Sequence, residues 1–312
     1  MLLPSFLFAI EVTFPISALI LLGMYLKRLN WIDEQFSITG SKLVFKLVIP
    51  CMLFVSITQA DLTGAFPGKL VTHAVIATTF IFLSLHFIAY FIELTSRRGA
   101  FVQASCRSNI AIVGIAFCIN AFGEEIITTV AMYLSVIVIL YNVYSVLTLL
   151  YHQDSQPSFK MVFEGVYTNP LIIAIFLGYS ALFLNLTIPQ LLLDTGDSIS
   201  RMGLPLALLC IGASIRKQEF QSSKLLFFAV GNKLIMVPLI VTVASYFMGL
   251  RGEHLGVLFM MMAAPTAAVA YPMVRMIGGD YYLTSAVIAT TTLFSVITVT
   301  IGIFFFNYIG WF

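Results

Sequence analysis

Few residues of this chain could do chemistry, and those that could sit in apolar surroundings. Lys233 stands ten residues into a long apolar run, in Gly231-Asn232-Lys233-Leu234-Ile235. Arg107 opens the segment Arg107-Ser108-Asn109-Ile110-Ala111-Ile112-Val113-Gly114, and Glu11 lies one turn before Pro15. Further on, Pro265 and Pro272 bracket Thr266 and a row of small residues. Each proline removes a helical hydrogen bond and disfavours helix at the residue before it. The small residues between them let another backbone come close. Such a pattern predicts an interrupted helix, whose freed N–H and C=O groups can meet a polar or ionic solute. Asn109 and Thr266 would add an amide and a hydroxyl as donors, and Lys233 and Arg107 would add positive potential. Ser108 and Gly114 would break the first segment without a proline. Glu11 is placed to carry a coupling proton, or to pair with Lys233 or Arg107. Each has a plainer reading: Lys233 snorkels or makes a structural polar pair, and the Pro265–Pro272 segment is an ordinary kinked helix.

The surroundings of these residues follow from composition. Of 312 residues, 60% are apolar and 10% charged, with 16 Lys+Arg against 14 Asp+Glu and a formal net charge of +2. A soluble domain carries about 25% charged residues, so this chain could not cover its own surface in water. A soluble enzyme and a disordered chain are excluded. Nucleic acid is not an expected partner, because the basic residues are spread thinly with no run longer than two. The four cysteines (Cys51, Cys106, Cys118, Cys210) lie in apolar stretches without CxxC spacing, which predicts neither a metal site nor a disulfide framework. No HExxH or GxSxG motif supports hydrolysis. No cofactor and no metal are expected, and the chain does not read as an enzyme.

The elements that must position these residues are membrane helices. The apolar runs are about 20 residues long, whereas the strands of membrane barrels alternate over about 10. Ten candidate spans run roughly over 4–26, 40–60, 69–94, 101–122, 126–151, 161–184, 190–215, 223–248, 254–276 and 282–311. The odd-numbered connections carry Lys27, Arg28, Arg97, Arg98, Lys160, Arg216, Lys217 and Lys224, and the even-numbered ones only Lys69 and Arg251. The excess of Lys and Arg marks the cytoplasmic side. The expectation is a multi-pass protein of the cell membrane with both termini outside and the 152–160 loop inside. Asn185-Leu186-Thr187 fits a glycosylation sequon on the outer side.

At an offset of 155 residues the chain resembles itself. Thr13-Phe14-Pro15 matches Thr168-Asn169-Pro170, and Gly23, Asn30, Pro50, Lys69 and Gly123 match Gly178, Asn185, Pro205, Lys224 and Gly278. Each half holds five spans, an odd number, so the second must be inverted relative to the first. The predicted fold is an all-α polytopic membrane protein of ten transmembrane helices in two inverted five-helix repeats. The first repeat covers 1–152, a short loop 153–160, and the second repeat 161–312. Spans 4 and 9 are the broken, crossing pair. Architectures of this kind bind their solute near the bilayer midplane, at the repeat interface.

The order and spacing of these residues resemble the auxin efflux carrier family, which includes bacterial malate-type permeases and the plant auxin exporters. The resemblance rests on Pro15 with Leu22-Gly23, Asn109 with Gly114, and Asn169-Pro170 with Leu177-Gly178. It continues through Pro205 with Ile211-Gly212, Lys233 with Pro238, Ala264-Pro265-Thr266, and Asp280 leading into Ser285-Ala286 and Thr290-Thr291-Thr292. It spans the whole chain. It implies a scaffold part and a transport part, spans 4 and 9 crossing near the middle, and an anionic carboxylate bound beside the crossing. The plant members carry a proline where this chain has Ser108, and many carry a long hydrophilic central loop that this chain lacks.

The functional expectation is a secondary transporter of small organic anions, mono- or dicarboxylates of malate or auxin type, working by alternating access. No acidic residue occurs between Ile126 and Tyr151 or between Tyr281 and Phe312, which suits an anion better than a coordinated cation. The expected partners are the carboxylate and the lipid bilayer. A proton or a sodium ion could couple transport, and a homodimer is compatible with the sequence. Two rivals stand beside this reading: a drug/metabolite-type exporter of neutral or amino-acid-like solutes, and a passive channel.

Overall fold

The computed structural model of the chain describes residues 2–59, 67–92, 94–152, 167–184, 186–215, 223–276 and 278–312. The expected inner loop at 153–160, the first turns of the sixth span, Asn185 of the sequon, and Lys160, Arg216 and Lys217 lie outside these residues.

Among the described residues every regular element is helical. The chain opens with α1 (Leu2–Arg28) and α2 (Glu34–Leu43), which runs through a π turn (Val44–Val48) into α3 (Ile49–Thr58). After α4 (Gly68–Ala89), α5 (Thr95–Cys106) stops short. Helix resumes in a π turn (Ile110–Gly114) and α6 (Ile115–Phe122), followed by α7 (Ile127–His152). Then come α8 (Pro170–Phe183), α9 (Gln190–Arg201) and α10 (Gly203–Ser214). A second π turn-containing span joins α11 (Lys224–Gly231) through Asn232–Met236 to α12 (Val237–Phe247). The last helices are α13 (Gly252–Ala263), α14 (Ala270–Met276) and α15 (Tyr281–Tyr308). Six stretches are long and apolar enough to cross a bilayer: Leu2–Arg28, Glu34–Thr58, Gly68–Ala89, Glu124–Leu149, Lys224–Phe247 and Tyr281–Tyr308. They coincide with expected spans 1, 2, 3, 5, 8 and 10. The regions of spans 4, 7 and 9 are helices in pieces.

Local chemistry explains the starts and irregularities. Asp33, Asn169, Ser223 and Asp280 cap α2, α8, α11 and α15 by accepting from Phe36, Leu171, Leu226 and Leu283 N–H groups. Pro170 occupies the first turn of α8, where its missing N–H costs nothing. A proline ring clashes with the carbonyl four residues earlier. For Pro50 and Pro238 those carbonyls belong to Lys46 and Leu234, each inside a π turn; for Pro205 it belongs to Arg201, at the α9–α10 break. The widened or broken turn relieves the clash in all three.

Two sets of helices pack together. α1, α2, α3, α8, α9 and α10 form one, and α4, α5, α7, α11, α12, α13 and α15 the other. In the first set α1 and α10 touch backbone to backbone. A Cβ on Gly23 would lie 2.2 Å from the Leu209 carbonyl oxygen, and one on Gly212 would lie 2.0 Å from that of Ile20. α8 meets α3 in the same manner but less closely, Gly178 facing the Ile57 side chain. The offset of 155 carries Gly23 to Gly178 and Ile57 to Gly212. Gly123 and Gly278, another matched pair, both adopt φ of +83°, a left-handed conformation that glycine adopts without steric cost. Outside, Phe14, Phe80, Leu83, Phe87, Phe91 and Phe247 are exposed. So extensive an apolar exterior is suited to lipid rather than water.

Candidate functional site

The two broken spans meet where each loses its helix. Arg107 and Asn109 leave helical geometry after α5, and Ala264 leaves it after α13. The freed backbones pair as a short antiparallel bridge, Ser108 opposite Thr266. Asn109 N donates to Pro265 O at 2.7 Å, and Ala267 N donates to Arg107 O at 2.9 Å. The two hydroxyls then do equivalent work. Thr266 Oγ1 donates to Ala104 O at 2.6 Å near the end of α5, and Ser108 Oγ donates to Met262 O at 3.3 Å near the end of α13. Each break thereby caps the carbonyls that the opposite helix leaves unpaired. Thr266 N is held in turn by Thr291 Oγ1 of α15 at 3.1 Å.

The matched positions at the crossing are 158 residues apart, not 155. The reason is local. Lys69 to Ser108 spans 39 residues and Lys224 to Thr266 spans 42, so the second half carries three more before its break. It then carries three fewer, since Asn109 to Gly123 spans 14 and Ala267 to Gly278 spans 11. The 155 register therefore returns at the glycines. It had set Asn109 against Ala264, whereas the backbone bridge sets Asn109 beside Pro265 and Ser108 against Thr266.

Two cations sit at this crossing without a carboxylate partner among the described residues. Lys233 lies in the π turn of its span and is 0% exposed. Its Nζ donates to Ser108 Oγ at 2.9 Å and to Met262 O at 2.6 Å. Arg107 is buried as well, and its guanidinium is held by neutral groups of α7. Nη1 donates to Ser145 Oγ at 2.8 Å and Nη2 to Asn142 Oδ1 at 2.8 Å. Ser145 passes the network on to Gln103 Oε1 at 2.9 Å. Asn109 is the partly exposed member of the crossing. No side-chain cap closes the helix that restarts at Ile110, so its first N–H groups and its positive dipole end are left beside Asn109. The site is thus rich in donors and positive potential.

The membrane transport protein family matches residues 157–303. An uncharacterized transporter of Escherichia coli K12, YfdV, is 23% identical over 263 residues, covering 81% of this chain and 83% of the relative. An uncharacterized transporter of Methanothermobacter thermautotrophicus is 25% identical over 307 residues, covering 94% of this chain and 97% of the relative. The second half of the chain is thus similar to membrane transport proteins, and the chain as a whole to these two transporters. The likeness is to transport proteins rather than to an enzyme.

In this chain Asn109, Ser108, Pro265, Thr266, Arg107 and Lys233 gather at one place. Gly114 closes the π turn, where its N–H joins that of Val113 on the Asn109 carbonyl. Pro272 lies exposed in α14, away from the bridge. Glu11 is on an exposed face of α1 and makes no ion pair with Lys233 or Arg107. Thr266 is buried with its hydroxyl engaged, so it holds the crossing together rather than pointing outward. The sequence reading did not anticipate a cavity of about 630 Å³ along α6. Its lining includes Asn120, Glu124, Glu125, Gln59, Asp197 and Arg201, besides Pro15 and Pro205. Only the repeat-matched prolines hinted at it, because these polar residues come from four separate segments.

Proposed function

We propose that the protein is a secondary transporter of small organic anions, mono- or dicarboxylates, working by alternating access. The observation that carries this reading is the pair of buried cations, Lys233 and Arg107, beside an uncapped helix N-terminus and without a carboxylate among the described residues. A buried charge is costly unless it is paired, and a substrate carboxylate is a suitable partner. In this reading Asn109 and the Ile110–Ile112 N–H groups contact the carboxylate, while Lys233 and Arg107 act through the field they create. The fold behind it is ten spans in two inverted repeats, 1–152 and 161–312, with both termini outside. The matched glycine conformations at Gly123 and Gly278 support the repeat, as do the matched contacts of Gly23 with α10 and of Gly178 with α3.

The test is uptake of radiolabelled carboxylates by proteoliposomes, with counterflow as the signature of a carrier. Saturable uptake with counterflow is the expected result; unsaturable flux would mark a channel. A second reading is favoured by the cavity along α6, where Glu124, Glu125 and Asp197 face one Arg201. A solute with an ammonium as well as a carboxylate would suit that lining, so amino acids belong in the panel. Counterflow by amino acids and not by simple carboxylates would decide for it.

A further inference from the structure

We infer that Lys233 carries the coupling proton, so that each carboxylate anion enters the crossing together with one proton. The inference rests on the organic-anion reading above and names its coupling ion. It starts from the count of donors and acceptors at Nζ. The side chain is 0% exposed and meets two acceptors, Ser108 Oγ and Met262 O. A neutral amine has two N–H donors and satisfies both. An ammonium has a third, which finds no acceptor among the described residues. Two acceptors fit the amine; an anion would supply the third acceptor and the counter-charge that the ammonium requires.

The groups around Lys233 leave few alternatives for this role. From α5 it faces Cys106, which Arg107 also adjoins. From α7, Tyr141 comes up to Ser108 and, with Tyr133, to Cys106; both hydroxyls are buried. α13 from Leu255 to Ala263 and α15 from Leu283 to Asn307 contain no titratable residue. Arg107 keeps its charge under all ordinary conditions, whereas a lysine can lose its proton when buried. Glu11, the other coupling candidate, lies on the outer face of α1. The position of Lys233 in a π turn also fits, since such turns occur at functional sites, where they re-aim a side chain.

The step balances without a co-reactant. On one side of the membrane the Lys233 amine takes a proton from water as the carboxylate binds, giving an ammonium–carboxylate pair. On the other side the carboxylate leaves and the ammonium returns its proton. A monocarboxylate therefore crosses with no net charge. Ser108 relays the event: its hydroxyl bonds Lys233 on one side, and its backbone leads directly into Asn109, where the anion sits.

The experiment is calorimetric binding of malate, succinate and acetate to the purified full-length protein, in two buffers of different ionisation heat, from pH 6 to pH 9. The difference between buffers counts protons taken up per ligand. The parent should take up one proton, and its Kd should rise about tenfold per pH unit as the pH increases through the range where the amine loses its proton. Lys233→Arg, which keeps its charge, should bind with no proton uptake and little pH dependence. Lys233→Gln, which keeps two donors and no charge, should bind at least tenfold more weakly and also without proton uptake. Carboxylate binding by the parent with no proton uptake overturns the inference, whatever the variants do, and so does full uptake by either folded variant. If none of the carboxylates binds the parent, the organic-anion reading itself fails and this one falls with it.

Discussion

Asn109 and Thr266 look alike in the sequence, a polar residue within each helix break, yet the structure gives them different tasks. Asn109 is partly exposed, and its side-chain amide has no partner among the described residues. A charge-assisted hydrogen bond contributes about 1.5–3 kcal/mol, so Asn109→Ala should weaken carboxylate binding roughly tenfold or more. Asn109→Asp should be worse, because it sets a negative charge beside the anion. Direct binding to purified protein checks both, and parental affinity in the Asn109→Asp variant, with its new carboxyl ionised, would remove the anion from this position. Thr266 is 1% exposed, with its hydroxyl on Ala104 O. Thr266→Val keeps the shape and strands that carbonyl, which costs about 1–3 kcal/mol. The expected outcome is a lower unfolding temperature, with a smaller loss of affinity than Asn109→Ala. Equal affinity losses for the two variants would put the Thr266 hydroxyl back among the substrate contacts.

At the scale of elements, the prolines and glycines carried most of what could be read in advance. Pro50, Pro205 and Pro238 each coincide with a π turn or a break, for the steric reason already given, and Pro265 opens the break in span 9. The first break has no proline, and its position at Arg107–Asn109 is held by partners remote in sequence: Pro265, Ala267 and Lys233. Glycine contacts are equally invisible without the fold. The Gly23–Gly212 approach brings two backbones together, and neither can yield, so Gly212→Ala should cost about 1–3 kcal/mol or more through overpacking. Gly178→Ala meets only the Ile57 side chain, its Cβ 3.1 Å from the nearest atoms, and should be milder. Thermal unfolding in one detergent compares the two, and a Gly178 variant as damaged as the Gly212 variant would refute the ranking.

For the whole molecule, alternating access requires the two sets of helices to move against each other. They meet where α1 packs along α15, Thr13 Oγ1 lying 2.7 Å from Thr300 Oγ1; α6 is tied to α1 as well, Asn120 Nδ2 donating to Val12 O at 2.9 Å. Cysteines replacing Thr13 and Thr300 would set their sulfurs where these two hydroxyls now touch, and should cross-link on oxidation. Oxidation should stop counterflow, with recovery on reduction and with carboxylate binding retained. Undiminished transport by the fully cross-linked protein would mean that α1 and α15 do not separate. The orientation can be tested on Trp31, which is 77% exposed in the connection after α1. A cysteine there should resist an impermeant reagent added outside intact cells, and rapid labelling would reverse the assignment of sides.

Composition alone determined that this chain belongs in a membrane, because so few charged residues cannot cover a folded surface in water. Apolar run length and proline position marked the long spans and most of the irregular ones, since these depend on neighbours along the chain. Residue type singled out Lys233, Arg107 and Asn109, because a charged or polar group in an apolar run is costly enough to need a reason. Tertiary structure alone decided the register of the crossing, where compensating shifts of three residues are spread along the second half and escape any single offset. It also decided that Glu11 faces outward, that Thr266 is a structural cap, and that Lys233 meets two acceptors and no carboxylate among the described residues. These are pairings between residues remote in the chain, most of them more than a hundred positions apart, or orientations about a helix axis, and no local pattern encodes either.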